Sequence, residues 1–524
     1  MNIVDFSVLL ICCLSFGFSC IESSVNLDSL HWGFMYVQAL DLKRGLIPYQ
    51  ETFTIYGILT SWIQSLSLTL FGERMISIGI ATGIFYSVSI FLSYQIFLKI
   101  LPKYFAYFST LLIFLLHTYI IYPWSNYYSY TFLLLSILLL FAVKKDISNM
   151  FFSGFFLGLS LLCRYSSVQA ILPPFLLFFV YETLLKRNSK KANLSNILFF
   201  SLGFSIPILL FLFFLIYYGV LDDFFIQNKI ILLEADQGVT VLTFIPTLLN
   251  SIITSGGENP VGGNPDSRIF SFTIIFFWNL VTLLYFLFQQ LFLKKILTKN
   301  EVIVMALCVI TLFGYLNSIH IYEVFRLANS SSLGIGVIIY SVVKILPRLG
   351  RKIKIVMILP LISICFIWAN SLIFSQTSSV YFPWKLDTLM GKGVISNEVS
   401  IFRGKILSQK YYQFYHEIFN EISKFDNSYY IVNYTLDSVA MTINNLPKVQ
   451  ISSYYILLIE QAYPEEAKKI QQVINTKKAI ILSNKDIHIA GYKVIFSKPW
   501  SFAEVPWMGH DKSIYISVPE KTEM

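Results

Sequence analysis

Long apolar runs, separated by short polar segments, dominate the first 374 residues of the chain. A helix needs about 20 mostly apolar residues to cross a membrane. The pattern predicts eleven such spans, at approximately 4–20, 75–98, 104–122, 130–143, 150–163, 168–185, 196–218, 270–292, 301–318, 329–346 and 354–374. Two of these spans, 130–143 and 150–163, are short for a full crossing. Such spans must tilt little, recruit flanking residues or end within the membrane.

The first apolar segment allows two interpretations. It could be a signal peptide that ends at the lipobox-like Cys20, or an uncleaved first span. The segment lacks both a basic N-terminal region and a clean small-residue cleavage motif, which favours the uncleaved span.

Basic residues indicate the orientation of the chain. With the N-terminus in the cytoplasm, every inner loop contains at least two Lys or Arg, namely 99–103, 143–149, 186–195, 293–300 and 347–353. The positive-inside rule therefore favours this orientation, in the plasma (inner) membrane. An odd number of spans then leaves the C-terminal segment outside.

Three outer regions are long: 21–74, 221–269 and 375–524. The second contains a Gly/Pro/Asn-rich loop at 256–268. We assign residues 1–374 to a membrane domain and residues 375–524 to an extracytoplasmic α/β domain. The evidence for the second domain is a series of short β-rich runs with one polar helix between them: 429–434, 479–483, 492–497, 513–517 and the helix 464–475.

The first outer loop reads as two helices joined by a turn. The first extends from Ser29 to Arg44, and Gly45 and Pro48 end it. The second begins near Thr54 and has one apolar stripe on an otherwise polar helix, which is typical of a helix lying in the membrane surface. Another outer segment, 122–130, is rich in Trp and Tyr; we interpret it as a loop in the interfacial aromatic belt, with sugar stacking as the alternative.

Composition supports the membrane assignment and excludes other classes. Hydrophobic residues make up 56% of the chain and charged residues 13%, against about 25% charged in soluble domains. The net charge of +9 does not indicate nucleic-acid binding, because the charges lie in short loops between spans. The six Cys lie in or beside apolar segments, without the spacing of a metal site.

The first outer loop also resembles a known family. The segment "LDSLHWGFMYVQALDLKRGLIPYQETFTIYGILTSWIQSLSLTLFG" (27–72) is similar to the first loop of bacterial GT-C glycosyltransferases, with an acid after the first span and a "G-x-x-PY-x-D/E" turn. The segment "FFSGFFLGLSLLCRYS" (151–166) resembles the family's Gly-rich helix that ends in a basic residue. The resemblance implies a sugar transfer on the outer face from a polyprenyl-phosphate-linked donor.

Carboxylates in this loop are the candidate catalytic groups under the resemblance. Asp28 is the first candidate for the base, Glu51 for a second acid that positions the acceptor or holds a metal, and His31 for a supporting role. Each has a structural alternative: a helix N-cap for Asp28, a solvated turn for Glu51 and a polar interface residue for His31. Two acids could hold Mg²⁺ or Mn²⁺, but their spacing does not demand a metal.

Cations near the outer ends of spans are candidates for the donor phosphate. Arg164 and Arg326 follow predicted spans, and His320 lies close to Arg326 in sequence. The alternative for each arginine is that it extends to the lipid headgroups.

The predicted function is thus a membrane glycosyltransferase. Its partners would be the lipid-linked donor, membrane lipids and an acceptor, which could be a lipid-linked glycan, lipid A or a protein. Two other functions remain open: a transporter or flippase of a lipid-linked substrate, and a non-catalytic envelope assembly protein.

Overall fold

The computed structural model describes residues 3–25, 31–117, 123–142, 146–184, 190–235, 246, 268–318, 324–345, 347, 358–359, 362–363, 365–366, 393–395, 399–426, 428–435, 437–442, 464–500 and 512–520. Helices form the membrane part: α1 (Ile3–Val25), α2 (His31–Lys43), α3 (Ile58–Phe71), α4 (Met75–Phe97), α5 (Lys103–His117), α6 (Ser125–Leu140), α7 (Ile147–Cys163), α8 (Val168–Leu184), α9 (Lys190–Tyr217), α10 (Leu221–Ala235), α11 (Arg268–Leu291), α12 (Lys299–Gly314) and α13 (Val324–Tyr340).

Every predicted span before residue 346 coincides with one of these helices, which confirms the polytopic helical fold. By length and composition, five helices in the described part can cross a membrane: Ile3–Val25, Met75–Phe97, Leu194–Tyr217, Ser271–Leu291 and Lys299–Asn317. Several other apolar helices are shorter, among them α6 and α7. The last predicted span, 354–374, lies almost entirely outside the described residues, as does the boundary proposed at 375.

Close backbone contact joins α7 to α9. A side chain at Gly154 would place its Cβ 1.9 Å from the carbonyl oxygen of Phe200, and one at Gly203 would lie 1.9 Å from that of Phe151. Glycine is therefore needed at both crossing points. On its other side, α7 is bonded to α6 through paired serines, with Ser129–Ser160 at 3.0 Å and Ser136–Ser153 at 3.2 Å.

One outer segment differs from the prediction. The segment 122–130 is not a loop of the interfacial belt, because helix α6 begins at Ser125, and Trp124, Tyr127 and Tyr128 are buried. The short span 130–143 thus recruits flanking residues on its N-terminal side. The region 221–269 begins with the helix α10, and its predicted loop, 256–268, lies outside the described residues except for Arg268.

Helix α3 matches the predicted surface helix. Its buried face carries the polar Thr60, Ser61, Gln64 and Ser67, and Gln64 donates a 2.7 Å hydrogen bond to the Pro123 carbonyl. Three apolar side chains on the opposite face, Trp62, Leu66 and Leu70, are exposed by 38%, 58% and 66%, whereas Ile58 and Leu68 are buried. This inverted arrangement is the one expected for a helix that turns its apolar face to lipid.

The C-terminal part is the predicted α/β domain. It contains β1 (Gly393–Ile395), β2 (Ile406–Ser408), α14 (Gln409–Ile422), β3 (Tyr430–Asn433), α15 (Pro464–Asn475), β4 (Ala479–Ser483), β5 (Tyr492–Trp500) and β6 (Lys512–Pro519). Strands β3, β4, β6 and β5 form one sheet in that order; β3 and β4 are parallel, and the other pairs are antiparallel. Strand β4 is buried along its whole length, so it is the centre of this domain's core.

Candidate active site

The connector between α2 and α3, residues 44–57, has a defined conformation. Gly45 has a φ of +85° and Tyr49 a φ of +71°, and both lie in the left-handed region. The Tyr49 N–H donates to the Thr52 carbonyl at 3.0 Å, which closes a tight turn. The first helix of the loop ends just before Gly45, as predicted, but it is buried from Trp32 to Asp41 and is therefore not a surface helix.

A side-chain amide from α10 holds this turn from the other side. Gln227 donates to the Tyr49 carbonyl at 2.6 Å and accepts from the Thr54 N–H at 3.1 Å. Gln227 is itself buried. The amide therefore satisfies two backbone groups of the connector, which would otherwise lose their hydrogen bonds on burial.

The end of the connector lies directly against the outer end of α7. A Cβ at Gly57 would lie 2.0 Å from the Leu162 carbonyl oxygen. The Ile58 N–H donates to the Tyr165 hydroxyl at 3.0 Å, and the Thr60 hydroxyl donates to the Cys163 carbonyl at 2.8 Å. These contacts place the first turn of α3 beside Arg164, which lies between Cys163 and Tyr165 in the sequence.

Tyr165 also links the connector turn to this contact. Its hydroxyl lies 2.8 Å from that of Tyr49. Burial raises the pKa of both phenols. Both hydroxyls therefore stay protonated at neutral pH, and one of them donates to the other.

Arg164 is buried at the outer end of α7 and is only 6% exposed. Its guanidinium donates to the Ser125 hydroxyl at 3.1 Å and lies 5.6 Å from the centre of the Tyr56 ring, within the range of a cation–π interaction. Arg164 is therefore held by the protein rather than extended to the lipid headgroups.

His31 lies on the other side of the same aromatic group. Its ring is 5.2 Å from that of Trp124 and 5.6 Å from that of Phe34, both edge-to-face. Trp124 in turn donates its indole N–H to the Tyr56 hydroxyl. Tyr56 and Trp124 thus stand between His31 and Arg164, and two of the predicted site residues share one cluster.

Glu51 is exposed, and its described contact is local. Its carboxylate accepts the Ile47 N–H at 2.7 Å, and its own N–H donates to the Ile47 carbonyl at 2.8 Å. The side chain therefore stabilises the connector turn, as its structural alternative predicts.

The remaining predicted residues are described partly or not at all. Asp28 and His320 lie outside the described residues. Arg326 lies in the first turn of α13, but its side chain is outside the described part.

A pocket lies beside Arg164, where the N-terminal ends of α6, α8 and α13 meet the C-terminal end of α12. Asn126 follows Ser125, the partner of Arg164, and Ser167 donates its N–H to the Arg164 carbonyl at 3.1 Å. The lining of the pocket combines polar with apolar side chains and includes Asn126, Ser129, Ser167, Asn317, Asn329, Leu133, Ile171, Phe175 and Leu333. Among the described residues, the side-chain oxygens of Asn126 and Asn317 have no hydrogen-bond partner.

Sequence reasoning missed several residues of this site. Tyr56 was not among the candidate site residues, and Trp124 was assigned to the interfacial aromatic belt. Asn126, Asn317 and Gln227 carry no motif, because their neighbours come from distant helices. Asparagine near the outer end of an apolar span is the one signal that could have pointed to the pocket.

Metal-ligating side chains do not gather in the described part of the chain, where no group of three or more His, Cys, Asp or Glu could hold an ion. Glu51 bonds to its own turn, so the described residues do not form the metal site considered above.

Comparisons with known proteins agree with this fold. Residues 56–217 match the family model for dolichyl-phosphate-mannose-protein mannosyltransferase. Crystal structures of ArnT from Cupriavidus metallidurans, bound to undecaprenyl phosphate and in the apo state, superpose with TM-scores of 0.57 and 0.58 at 11% identity, covering 98% of each chain. The archaeal oligosaccharyltransferase AglB from Archaeoglobus fulgidus, in complex with an inhibitory peptide and a dolichol-phosphate, superposes with a TM-score of 0.50 at 10% identity, covering 92% of this chain and 69% of AglB.

A search of curated proteins found no significant match. At these identities the structural likeness shows the fold alone. The predicted resemblance agrees with these findings at the level of the fold: the chain is a multi-pass membrane protein that shares the fold of ArnT, and residues 56–217 match the mannosyltransferase family model.

Removing the Tyr165 hydroxyl tests the contact between the connector and α7. We expect Tyr165→Phe to destabilise the protein by about 1–3 kcal/mol, because the buried Ile58 N–H and the Tyr49 hydroxyl each lose a partner. The melting temperature in detergent should fall, and amide exchange should rise in residues 47–60. Tyr217→Phe, at a side chain that is 71% exposed, is the matched control; an equal effect of both variants would contradict the contact.

Proposed function

We propose that this protein transfers a glycosyl group from a polyprenyl-phosphate-linked donor to an acceptor on the outer face of the plasma membrane. The acceptor carries a nucleophilic group such as a hydroxyl, on a lipid-linked glycan, on lipid A or on a protein. The chain is oriented with its N-terminus in the cytoplasm and its C-terminal domain outside.

The observation that carries this proposal is a buried cation beside an amide-lined pocket. Arg164 is fixed at the outer end of α7 by Ser125 and Tyr56. A cation at this depth is costly and usually functional. A departing lipid phosphate gains negative charge, and a guanidinium is well suited to bind it through paired hydrogen bonds.

The pocket fits the two chemically distinct parts of such a donor. The oxygens of Asn126 and Asn317 are acceptors without a described partner, and leaving a buried acceptor unpaired costs about 1–3 kcal/mol. Sugar hydroxyls would supply the missing hydrogen bonds. The apolar floor, which includes Leu133, Phe175 and Leu333, suits the first isoprene units of the lipid.

Asp28 is the base in this proposal. The acceptor hydroxyl attacks C1 of the donor sugar, the new C1–O bond forms, and the bond from C1 to the phosphate oxygen breaks. The acceptor proton passes to the Asp28 carboxylate, and the polyprenyl phosphate leaves with the bonding electron pair. Arg164 stabilises the charge that develops on this phosphate.

Other predicted residues have supporting roles. His31 and the Tyr56–Trp124 pair form the wall against which the sugar ring packs, since aromatic rings offer apolar contact to the faces of sugars. Arg326 and His320 belong to the donor phosphate side. Glu51 positions the connector through its bond to the Ile47 N–H.

The comparisons support the same reaction class. The family model that matches residues 56–217 describes a mannosyltransferase that uses a dolichyl-phosphate sugar. ArnT, which shares the fold over 98% of this chain, has been crystallised with undecaprenyl phosphate.

The distribution of buried charge argues against a transporter. In the described part of the chain, the buried charged residues lie at helix ends or outside the membrane helices rather than at mid-span: Glu22, Asp41, Arg164, Glu182, Glu301, Lys405 and Asp437. Transporters typically place ionisable groups near the bilayer midplane.

Asp28→Asn tests the base. We expect a loss of about 10²–10⁴-fold in the release of polyprenyl phosphate by the purified protein, because the amide cannot take the acceptor proton. Asp222→Asn, at an exposed acid on the first turn of α10, should retain activity. Full activity of a folded Asp28→Asn variant would remove Asp28 from this role.

Arg164→Gln tests the phosphate site. Losing the charge that faces the leaving group should lower turnover by about 10²–10³-fold, and Arg164→Lys should recover part of it. Arg44→Gln, at an exposed arginine of the first outer loop, is the control. If donor turnover by Arg164→Gln equals that of the wild type, the guanidinium does not serve the phosphate.

Reporter fusions test the orientation. For a C-terminus on the outer side, alkaline phosphatase fused after residue 524 should be active, and green fluorescent protein fused at the same position should not fluoresce. Fusions in the predicted inner loop 186–195 should give the opposite result. A fluorescent C-terminal fusion would overturn the proposed orientation.

A further inference from the structure

One lysine of the C-terminal domain is buried against the membrane domain. Lys405 directly precedes β2, and its side chain is fully buried. Its ammonium donates a 2.8 Å hydrogen bond to the carbonyl of Ser23, which is 382 residues earlier in the chain. Ser23 belongs to the last turn of α1, where carbonyls lack a partner within the helix and carry partial negative charge. The lysine therefore caps the outer end of α1.

The same ammonium also contacts the start of α2. It lies 3.9 Å from the centre of the Trp32 ring, the geometry of a cation–π interaction. Trp32 is fully buried and is the neighbour of His31, the first residue of α2. Lys405 thus contacts the elements on both sides of residues 26–30, the segment that carries Asp28.

A second contact joins the same domain to α2. A Cβ at Gly33 would lie 2.6 Å from the Val439 nitrogen and 2.9 Å from the Ser438 Cβ, so the two backbones meet without space for a side chain. The opposing loop is rigid, because the Asp437 carboxylate accepts the Val439 N–H and the Tyr415 hydroxyl, each at 2.8 Å.

Burying an ammonium is expensive unless hydrogen bonds and nearby π or negative charge compensate it. Burial lowers the pKa of Lys405 well below its usual range. A Met or Leu at this position would fill the space without that cost, so the charge itself calls for an explanation.

We propose that Lys405 is a positioning residue for the glycosyl transfer, and this inference rests on the proposed function. By holding the end of α1 and the start of α2 together, it sets the place of His31 beside Trp124. The C-terminal domain is therefore a structural part of the catalytic site.

Lys405→Met in the full-length protein, in lipid nanodiscs, tests this role with two readouts. Amide exchange in residues 20–40 should rise at least fivefold, because the clamp across α1 and α2 is lost. The kcat should fall at least tenfold while the KM for the donor stays within about threefold, since Lys405 does not line the pocket that contains Asn126 and Asn317. Lys405→Arg should recover part of both losses.

Two further variants complete the experiment. Lys424→Met, at an exposed lysine paired with Glu421 in the same domain, is the control and should change neither readout. Gly33→Ala should reproduce the effect of Lys405→Met by separating α2 from Val439, and it replaces that variant if Lys405→Met does not fold.

The outcomes separate the two proposals. If amide exchange in Lys405→Met is unchanged, Lys405 does not hold α1 and α2 together. If exchange rises but kcat is unchanged, Lys405 only stabilises the fold and is not a positioning residue. A wild-type protein that releases no polyprenyl phosphate would overturn the proposed function and the positioning role with it. In that case the exchange data would still decide whether the clamp exists.

Discussion

Glycine at position 57 allows the backbone of the first outer loop to lie directly against the last carbonyls of α7. Tyr165 and Cys163 then bond to the first turn of α3. Arg164 lies between these two residues, so the contact brings Tyr56 over its guanidinium. Without this approach of two backbones, the loop would have no fixed position relative to the buried cation, and the cluster around Trp124 would not form.

Contacts from three neighbouring elements thus fix the position of the site. Helix α10 holds the connector through Gln227, α7 holds the start of α3, and the C-terminal domain holds α2 through Lys405 and the loop near Val439. Each contact satisfies backbone or charged groups that burial would otherwise leave unpaired. The loop is therefore ordered by polar contacts, although it lies beside a mostly apolar helical bundle.

Local pattern predicted much of this architecture. The spans before residue 346, the two helices of the first loop, the end at Gly45, and the strands β3 to β6 with helix α15 follow from periodicity and from turn residues. The elements β1, β2 and α14 were not predicted. The segment 122–130 was misjudged because Trp and Tyr are common at membrane interfaces, whereas here Tyr127 and Tyr128 pack inside the bundle. Lys405 could not be predicted, since its partner Ser23 lies 382 residues away.

Helix α3 connects the site to its surroundings. Trp62, Leu66 and Leu70 are exposed, while Gln64 on the opposite side of the helix is bonded to Pro123, just before α6. If these apolar side chains lie in lipid, the acyl chains set the height of a helix whose first turn touches the end of α7. A bilayer with a different hydrocarbon thickness would then shift the first turn of α3 relative to Arg164.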